Sequence, residues 1–302
     1  MRIKHSPVVL VAMLMCQQVL AQALPEAPPA PPMPVPVDAA VSNPPPVAPA
    51  VPALPVPPAM PSAAQLAEEA EALAKANKPA DAREKWLAAL AVNPDAALRA
   101  KVENRLGEIS LELIRKPWPM PEKVDYVVQA GDSIRSIANK HGTTVEMIVQ
   151  ANELKRPDII NPGKRLRVFT GKMAMAVDKS ENDLLLTANG RFFKRYRVGT
   201  GKYDRTPVGT FTVSDRIKEP VWWRDDGKTV PFGDKENILG TRWMTLKAAG
   251  NTPAVTGYGI HGTWEDNSIG KSESAGCIRM KNTDVEELFE LVPVGTAVTI
   301  EE

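Results

Sequence analysis

Two glycine-containing runs in the last quarter of the sequence read Gly257-Tyr258-Gly259-Ile260-His261-Gly262-Thr263 and Ser274-Ala275-Gly276-Cys277-Ile278-Arg279-Met280. One histidine and one cysteine lie 16 residues apart, each beside a glycine. A lone histidine is more often structural, and a lone cysteine is more often a buried apolar side chain. However, glycine lets another group approach Cys277 closely, and Cys277 is the only cysteine after Cys16. A cysteine paired with a histidine is what an activated thiolate nucleophile requires.

Short strands separated by turn signals surround this stretch from Lys172 onward. Residues 173–177 alternate in polarity, and Asn189-Gly190 is typical of a hairpin turn. One helix is expected near residues 283–291 and a closing strand at residues 297–300. The pattern predicts a mainly β domain, a sandwich or a barrel, with little helix.

Residues 172–301 resemble the YkuD-type L,D-transpeptidase catalytic domain. The supporting segments are the two runs above together with Gly199-Thr200-Gly201, Thr206-Pro207-Val208-Gly209-Thr210-Phe211 and Asn237-Ile238-Leu239-Gly240-Thr241-Arg242-Trp243. The resemblance implies a YkuD-like β-sandwich and a cysteine acyltransferase that needs no cofactor and no metal. The expected reaction is peptidoglycan cross-linking. A tetrapeptide stem is attacked at its diaminopimelate carbonyl, D-alanine leaves, and an amine accepts the acyl group to give a 3-3 cross-link.

The resemblance also implies roles for individual residues. Cys277 is the expected nucleophile, and His261 either takes its proton or holds a thiolate as an ion pair. The backbone oxygen of Gly262 could orient the imidazole ring. The N–H groups of Ala275, Gly276 and Cys277 are candidate oxyanion donors. Activity is then expected to follow the titration of the His261–Cys277 pair between about pH 5 and 9.

Five further side chains have weaker assignments. Ser274 is expected to shape the loop by hydrogen bonding. Arg279 and Tyr258 are candidate substrate-binding residues, although a salt bridge for Arg279 and packing for Tyr258 are alternatives. Trp222 and Trp223 could cover the donor site as a lid, or pack in the core as tryptophan more commonly does.

One position departs from the family pattern. The family often has Ser-His-Gly-Cys, and here Ala275 replaces the second histidine. Activity is expected to survive because His261 matches the family's base. The acceptor stays open between a stem peptide, water in an L,D-carboxypeptidase, and a lysine of an envelope protein. A non-catalytic wall-binding protein is the remaining alternative.

Residues 126–169 predict the order strand, helix, helix, strand, and they resemble a LysM module. The matching positions are Tyr126, Gly131, Asp132, Ile137, Ala138, Thr144, Ile148, Asn152, Leu154, Pro162, Gly163, Leu166 and Val168. The resemblance implies a βααβ fold that binds N-acetylglucosamine-containing glycans such as peptidoglycan. The candidate glycan-binding residues are Gly131, Asp132, Ser133, Ile160, Asn161 and Pro162.

Residues 63–116 are rich in Ala, Leu, Glu and Lys at helical spacing and resemble a tetratricopeptide-type helical hairpin. A second copy of that period is absent from the sequence. One such unit buries little surface alone, so it either packs on a neighbour or mediates a protein contact.

The first 62 residues predict export. Arg2 and Lys4 precede an apolar stretch at residues 7–15, and Ala21-Gln22-Ala23 provides small cleavage positions, so residues 1–23 are predicted to be a signal peptide. A membrane anchor and lipidation at Cys16 are the alternatives. Residues 24–62 contain 16 of the 29 prolines and predict an extended spacer, or else a ligand for a proline-binding module. The expected location is the periplasm or cell wall.

The overall composition argues against several classes of protein. A formal net charge of +1 gives no sign of a nucleic-acid partner. Two cysteines exclude a disulfide-dense scaffold and a cysteine-rich zinc site. No run of 18 apolar residues follows the signal, so no transmembrane segment is expected in the body of the chain. The expected partners are peptidoglycan glycan strands and stem peptides, with an envelope protein as a possible acceptor.

Overall fold

The computed structural model describes residues 60–156, 159–224 and 226–302. The predicted signal peptide, Cys16 and nearly all of the proline-rich spacer lie outside the described residues. Within the described residues, no helix has both the length and the apolar character needed to span a bilayer.

Three helices open the described chain. They are α1 (Ala63–Lys75), α2 (Pro79–Ala91) and α3 (Ala96–Arg115). Ser62 forms a capping box at the start of α1, and the Asp95 carboxylate accepts the Leu98 N–H at 2.9 Å to cap α3. Pro79 occupies the first turn of α2, where its missing N–H costs no hydrogen bond.

A small module follows in the predicted βααβ order. Its elements are β1 (Lys123–Val127), α4 (Ile134–His141), α5 (Val145–Ala151) and β2 (Arg165–Phe169). The two strands pair antiparallel, and Ser133 and Thr144 cap the two helices. Ile137, Ile148 and other apolar side chains form a separate small core between the helices and the hairpin.

An eight-stranded sheet dominates the rest of the chain, which confirms the predicted mainly β class. The elements of this part of the chain are β3 (Met173–Asp178), β4 (Asp183–Ala188), β5 (Arg191–Arg197), β6 (Thr200–Gly201), β7 (Gly209–Lys218), β8 (Trp222–Trp223), β9 (Thr229–Val230), β10 (Arg242–Ala248), β11 (Gly259–Thr263), β12 (Ser272–Ser274), β13 (Ile278–Lys281), α6 (Asn282–Leu291) and β14 (Ala297–Glu301). The strands of the large sheet run in the order β13-β11-β10-β7-β14-β3-β4-β5. The short strands β6 and β12 pair with each other, and β8 pairs with β9.

The three N-terminal helices pack on the edge of this sheet. One continuous apolar core includes Leu106 and Ile114 of α3 together with Phe193 of β5. On the same face Arg195 of β5 donates to Glu103 of α3 at 2.8 Å. The structure therefore gives these helices a packing role, which is one of the two uses that the sequence leaves open.

A buried ion pair joins α2 to the segment that leads into β1. The guanidinium of Arg83 donates to the carboxylate of Glu122 at 3.0 Å, and the two residues are 1% and 6% exposed. Removing either partner would leave a buried charge without compensation, which is strongly destabilising.

The βααβ module is fastened to the sheet domain through α5 and α6. The Thr144 hydroxyl donates to the carbonyl of Glu290, and the Gln150 amide donates to the Glu290 carboxylate at 2.9 Å. Glu146 pairs with Lys218 of β7 at 2.8 Å. The side chain of Met147 joins the main core. These contacts fix the orientation of the module on the sheet domain.

Candidate active site

Two parallel strands bring the histidine and the cysteine together. In the register of β11 with β13, His261 stands opposite Arg279 and Ile260 opposite Ile278. Cys277 directly precedes β13, so it lies at the same end of the strand pair as the first residues of β11. All five residues of β11 are buried, and His261 is 3% exposed.

His261 and Cys277 line one cavity of about 630 Å³. Apolar and aromatic side chains form most of its wall, and Glu219, Ser274 and Arg279 add polar groups. The other lining residues are Ile217, Glu219, Pro220, Val221, Trp222, Trp223, Ile238, Leu239, Trp243, Gly257, Ser274, Ala275 and Arg279. A mostly apolar cavity with a few convergent polar groups is typical of a small-molecule or peptide site.

The imidazole of His261 is held on two sides. Its Nδ1 lies 2.6 Å from the carbonyl oxygen of Gly262, which can only accept, so this nitrogen carries the proton and Nε2 is the basic one. The ring stacks on Trp243, with centroids 5.5 Å apart. Burial lowers the pKa of His261 to about 4, although the Gly262 and Leu239 carbonyls partly oppose this shift. The ring is therefore neutral at pH 7.

The thiol of Cys277 is also neutral at rest. Burial raises the pKa of Cys277, although the Gly259 N–H and the positive charge of Arg279 partly oppose this effect. The Sγ atom lies 3.6 Å from the carbonyl of Gly257, to which the thiol donates. A neutral thiol beside a neutral imidazole is suited to general-base activation at the moment of attack.

Ser274 organises the loop that carries the cysteine. Its hydroxyl donates to the carbonyl of Cys277 at 2.6 Å and accepts the Gly276 N–H at 3.1 Å. The Gly276 N–H, expected among the oxyanion donors, is thus occupied in this structure. The N–H groups of Ala275 and Cys277 have no acceptor among the described residues. These two groups are therefore the remaining backbone candidates for an oxyanion site.

Gly276 also fits a position that no larger residue could occupy. Its φ is +140°, and a Cβ there would lie 2.8 Å from the ring of Tyr258. Tyr258 therefore packs beneath the loop and does not line the cavity. The carbonyl of Gly276 accepts the Thr206 hydroxyl at 2.8 Å, and the Thr206 oxygen accepts the Gly201 N–H at 2.7 Å. Sequence reasoning missed this buried role of Thr206, although Thr206 belongs to one of the segments that resemble the family.

A short hairpin covers one side of the cavity. Trp222 and Trp223 form β8, and both line the cavity as a lid would. Trp223 remains 75% exposed, which excludes core packing for it. Asn237 anchors this hairpin, because its amide donates to the carbonyls of Pro220 at 2.9 Å and Val230 at 3.0 Å. Asn237 is 1% exposed, and its anchoring role was also missed from sequence.

Arg279 both lines the cavity and forms an ion pair. Its side chain lines the cavity beside Cys277. Its guanidinium also lies 3.3 Å from the carboxylate of Glu265, whose side chain is 70% exposed. An ion pair with so exposed a partner contributes little stability, which leaves the guanidinium available to a ligand carboxylate.

The two candidate glycan loops lie side by side at one end of the βααβ module. Val128 donates to the Lys164 carbonyl at 2.9 Å and accepts the Gly163 N–H at 2.8 Å, which joins the loops. The side chains of Asp132 and Ser133 are used internally. Asp132 accepts the Gln129 N–H and the Tyr126 hydroxyl, each at 2.8 Å, and these bonds lower its pKa.

The remaining loop positions present mainly backbone. Ser133 caps α4. Gly131 has a φ of +86°, and Ile160 packs against the small core. The Asn161 carbonyl accepts the Lys164 N–H at 3.1 Å, next to Pro162. Among the described residues, no cluster of His, Cys, Asp or Glu could hold a metal ion.

Comparison with known proteins identifies two families in this chain. The family described as L,D-transpeptidase catalytic domain matches residues 172–300, and the LysM domain matches residues 126–169. A Bacillus subtilis protein named as an L,D-transpeptidase, YqjB, is 39% identical over 131 residues, covering 43% of this chain and 72% of the relative. The chain belongs to the L,D-transpeptidase family.

A second Bacillus subtilis relative named as an L,D-transpeptidase, YkuD, is 35% identical over 182 residues, covering 58% of this chain and 97% of the relative. Among solved structures, an L,D-transpeptidase from Mycobacterium smegmatis aligns with a TM-score of 0.35 and 20% identity. That alignment covers 46% of this chain and 64% of the other.

The Ser274 hydroxyl is expected to control the rate of the transpeptidase domain. Ser274→Ala removes both hydrogen bonds that hold the loop, so kcat should fall about 10- to 100-fold, as displacement of a reacting group by about 1 Å can cause. KM should change little because the hydroxyl is occupied internally. Steady-state kinetics would measure both. Ser272→Ala, on the same strand but bonded to Thr200, is the control, and an equal loss in both variants would contradict the prediction.

The Asn237 anchor is expected to control substrate retention. Asn237→Ala leaves the carbonyls of Pro220 and Val230 without their donor, at about 1–3 kcal/mol for each unsatisfied buried group. The β8–β9 hairpin should loosen, and KM should rise about tenfold. Hydrogen exchange of residues 220–230 would report the loosening. Asn251→Ala, at an exposed turn, is the control, and unchanged exchange in Asn237→Ala would overturn the assignment.

Proposed function

We propose that this protein is an exported L,D-transpeptidase that acts on peptidoglycan through a cysteine acyl-enzyme. The observation that carries the proposal is the placement of Cys277 and a neutral, oriented His261 in the wall of one cavity. Membership of the L,D-transpeptidase family and the LysM match support it.

The first half-reaction transfers the donor acyl group to the enzyme. The Cys277 sulfur attacks the diaminopimelate carbonyl of a tetrapeptide stem, and Nε2 of His261 takes the thiol proton. The resulting oxyanion is stabilised by the N–H groups of Ala275 and Cys277. The C–N bond then breaks, and the imidazolium returns the proton to the leaving D-alanine amine. The products are a thioester on Cys277 and free D-alanine.

The second half-reaction passes the acyl group to an amine. With D-alanine gone, His261 is neutral again and takes a proton from the incoming amine as its nitrogen attacks the thioester. The C–S bond breaks, and the proton returns to the sulfur. If the amine belongs to a second stem peptide, the product is a 3-3 cross-link. Water or a protein lysine would complete the same step as a carboxypeptidase or as a protein-linking enzyme.

The LysM module would supply the substrate at high local concentration. Its paired loops present backbone donors and acceptors, which match the N-acetyl groups of a glycan. Because the module is fixed to the sheet domain, a bound glycan strand would keep its stem peptides near the cavity, which raises the effective concentration of substrate without a new contact.

The acceptor can be identified by product analysis. The full-length protein is incubated with disaccharide-tetrapeptide, and the products are followed by mass spectrometry. Cross-linked dimers would support transpeptidation, tripeptide alone would indicate a carboxypeptidase, and a conjugate with an added lysine-containing envelope peptide would indicate protein linking. No product together with no covalent adduct from a carbapenem would overturn the enzymatic proposal.

The pH range over which the acylation rate stays constant should be wider than the sequence predicts. The sequence suggests a titration between about pH 5 and 9, but burial moves the pKa of His261 down to about 4 and that of Cys277 up. The base must be neutral, so the acylation rate should be flat near neutrality and fall as pH drops through about 4. Single-turnover acylation by a carbapenem measures this. A rate that halves near pH 6.5 would contradict the burial effect on His261.

A further inference from the structure

The cavity wall contains one carboxylate that the acyl transfer does not use. Glu219 follows the last residue of β7, and it lines the cavity together with Cys277 and His261. Its N–H donates to the carbonyl of Thr241 at 2.9 Å, and its φ is +52°. The backbone is thereby fixed at this point of the cavity wall in a conformation that is uncommon for a residue with a side chain.

The Glu219 carboxylate has no ion pair or hydrogen bond among the described residues. The basic side chains next to it in sequence and in strand pairing are used elsewhere. Lys218 pairs with Glu146 at 2.8 Å, and Arg242 donates to the Thr241 carbonyl at 2.7 Å. No basic side chain of the described residues pairs with this charge, and because Glu219 is exposed to solvent its carboxylate is accessible to a ligand.

The apolar surroundings would allow an unpaired carboxylate to select for a cationic ligand. The neighbouring wall is built from tryptophan, valine, isoleucine, leucine and proline side chains, which offer a cation no competing anion. Attraction between opposite charges is stronger beside such low-dielectric walls than in open water. The one positively charged side chain of this wall, Arg279, already has an exposed partner in Glu265. A ligand that carries an ammonium group would find its counter-charge at Glu219.

We propose that Glu219 binds a primary ammonium group of the substrate and selects stem peptides that carry one. This inference rests on the proposed transpeptidase function. A stem peptide can supply that ammonium in two ways: from the side chain of the donor diamino acid that Cys277 attacks, or from the acceptor before His261 deprotonates it. In the donor case, Arg279, which lines the same cavity, would bind the carboxylate that accompanies the amine.

The test uses Glu219→Gln in the full-length protein, since glutamine keeps the shape and removes only the charge. Glu273→Gln is the matched control, because Glu273 is an exposed carboxylate on the cysteine side of the site that does not line the cavity. In the donor arm, acylation by disaccharide-tetrapeptide with a free side-chain amine is compared with its N-acetylated form. In the acceptor arm, thioester consumption is measured against increasing concentrations of an amine acceptor.

Because Glu219 is exposed, loss of its charge should raise KM about two- to fivefold in the arm that uses the ammonium, with kcat nearly unchanged. A change in the donor arm, with discrimination against the N-acetylated donor lost, assigns Glu219 to the donor amine. A change in the acceptor arm assigns it to the acceptor. Wild-type KM in both arms would overturn the inference, and so would an equal change in Glu273→Gln. Absence of acylation in the wild-type protein would instead contradict the proposed function.

Discussion

Replacing Cys277 by alanine is expected to lower the rate of D-alanine release by at least about 10⁴-fold, because no other group of the cavity can form the thioester. In a serine protease, removal of a nucleophile that acts as a unit with its base lowers kcat about 10⁶-fold, and the residual rate comes from binding and the oxyanion site. Covalent labelling by a carbapenem should disappear as well. Mass spectrometry of the intact protein measures the adduct, and chromatography measures D-alanine.

The fold should survive this substitution, which makes the result interpretable. The Cys277 side chain is small and partly buried, and the hydrogen bond that its thiol donates to Gly257 is long. The backbone bonds from Ser274 to the loop do not involve the sulfur. A melting temperature close to the wild-type value is the control. A Cys277→Ala protein that keeps more than about one hundredth of the wild-type rate would contradict the nucleophile assignment.

Replacing Glu122 by leucine is expected to cost about 3–5 kcal/mol of unfolding free energy, because the Arg83 guanidinium would remain buried without its counter-charge. Arg83 is 1% exposed, and its remaining acidic neighbour, Glu84, lies 3.6 Å away with a side chain that is 47% exposed. That contact cannot replace the buried bond. Urea unfolding followed by circular dichroism measures the loss.

The double variant Arg83→Met/Glu122→Leu separates the charge from the packing. With both charges removed, stability should return to within about 2 kcal/mol of wild type, as replacement of a buried pair by apolar side chains often allows. The exposed pair Arg224–Glu236, with side chains 35% and 71% exposed, provides the comparison, and Glu236→Gln should cost less than about 1 kcal/mol. An equal effect of Glu122→Leu and Glu236→Gln would contradict the role of burial.

The parts of the fold that sequence predicts are those fixed by neighbouring residues. Ser133 and Thr144 cap helices, and such caps can be read from sequence because a cap requires only the next three residues. The pairing of His261 with Cys277 was predicted through family resemblance over the whole domain, and the cavity contains both. The orientation of the imidazole by Gly262 was foreseen for the same reason.

The parts that sequence did not predict depend on long-range contacts. Asn237 forms a hydrogen bond with Pro220, which is 17 residues away in sequence, and Arg83 forms one with Glu122, which is 39 residues away. Composition favours the surface for charged side chains, so no local pattern marks Arg83 as buried. The pKa of His261 follows from complete burial beneath its neighbours, which the run around it does not reveal. Glu219 is exposed, as its residue type suggests, and only the assembled fold shows that it lies at the same cavity as Cys277.

The rigid attachment of the LysM module through Glu290 has a geometric consequence for the proposed activity. Because Thr144 and Gln150 both bind this one residue of α6, the paired loops and Cys277 keep a constant separation. The position of the bound sugar would then determine which stem peptide along the glycan strand reaches the Cys277 thiol. Cross-links would form at a set offset from each point of attachment, and a flexible tether would not impose such regularity.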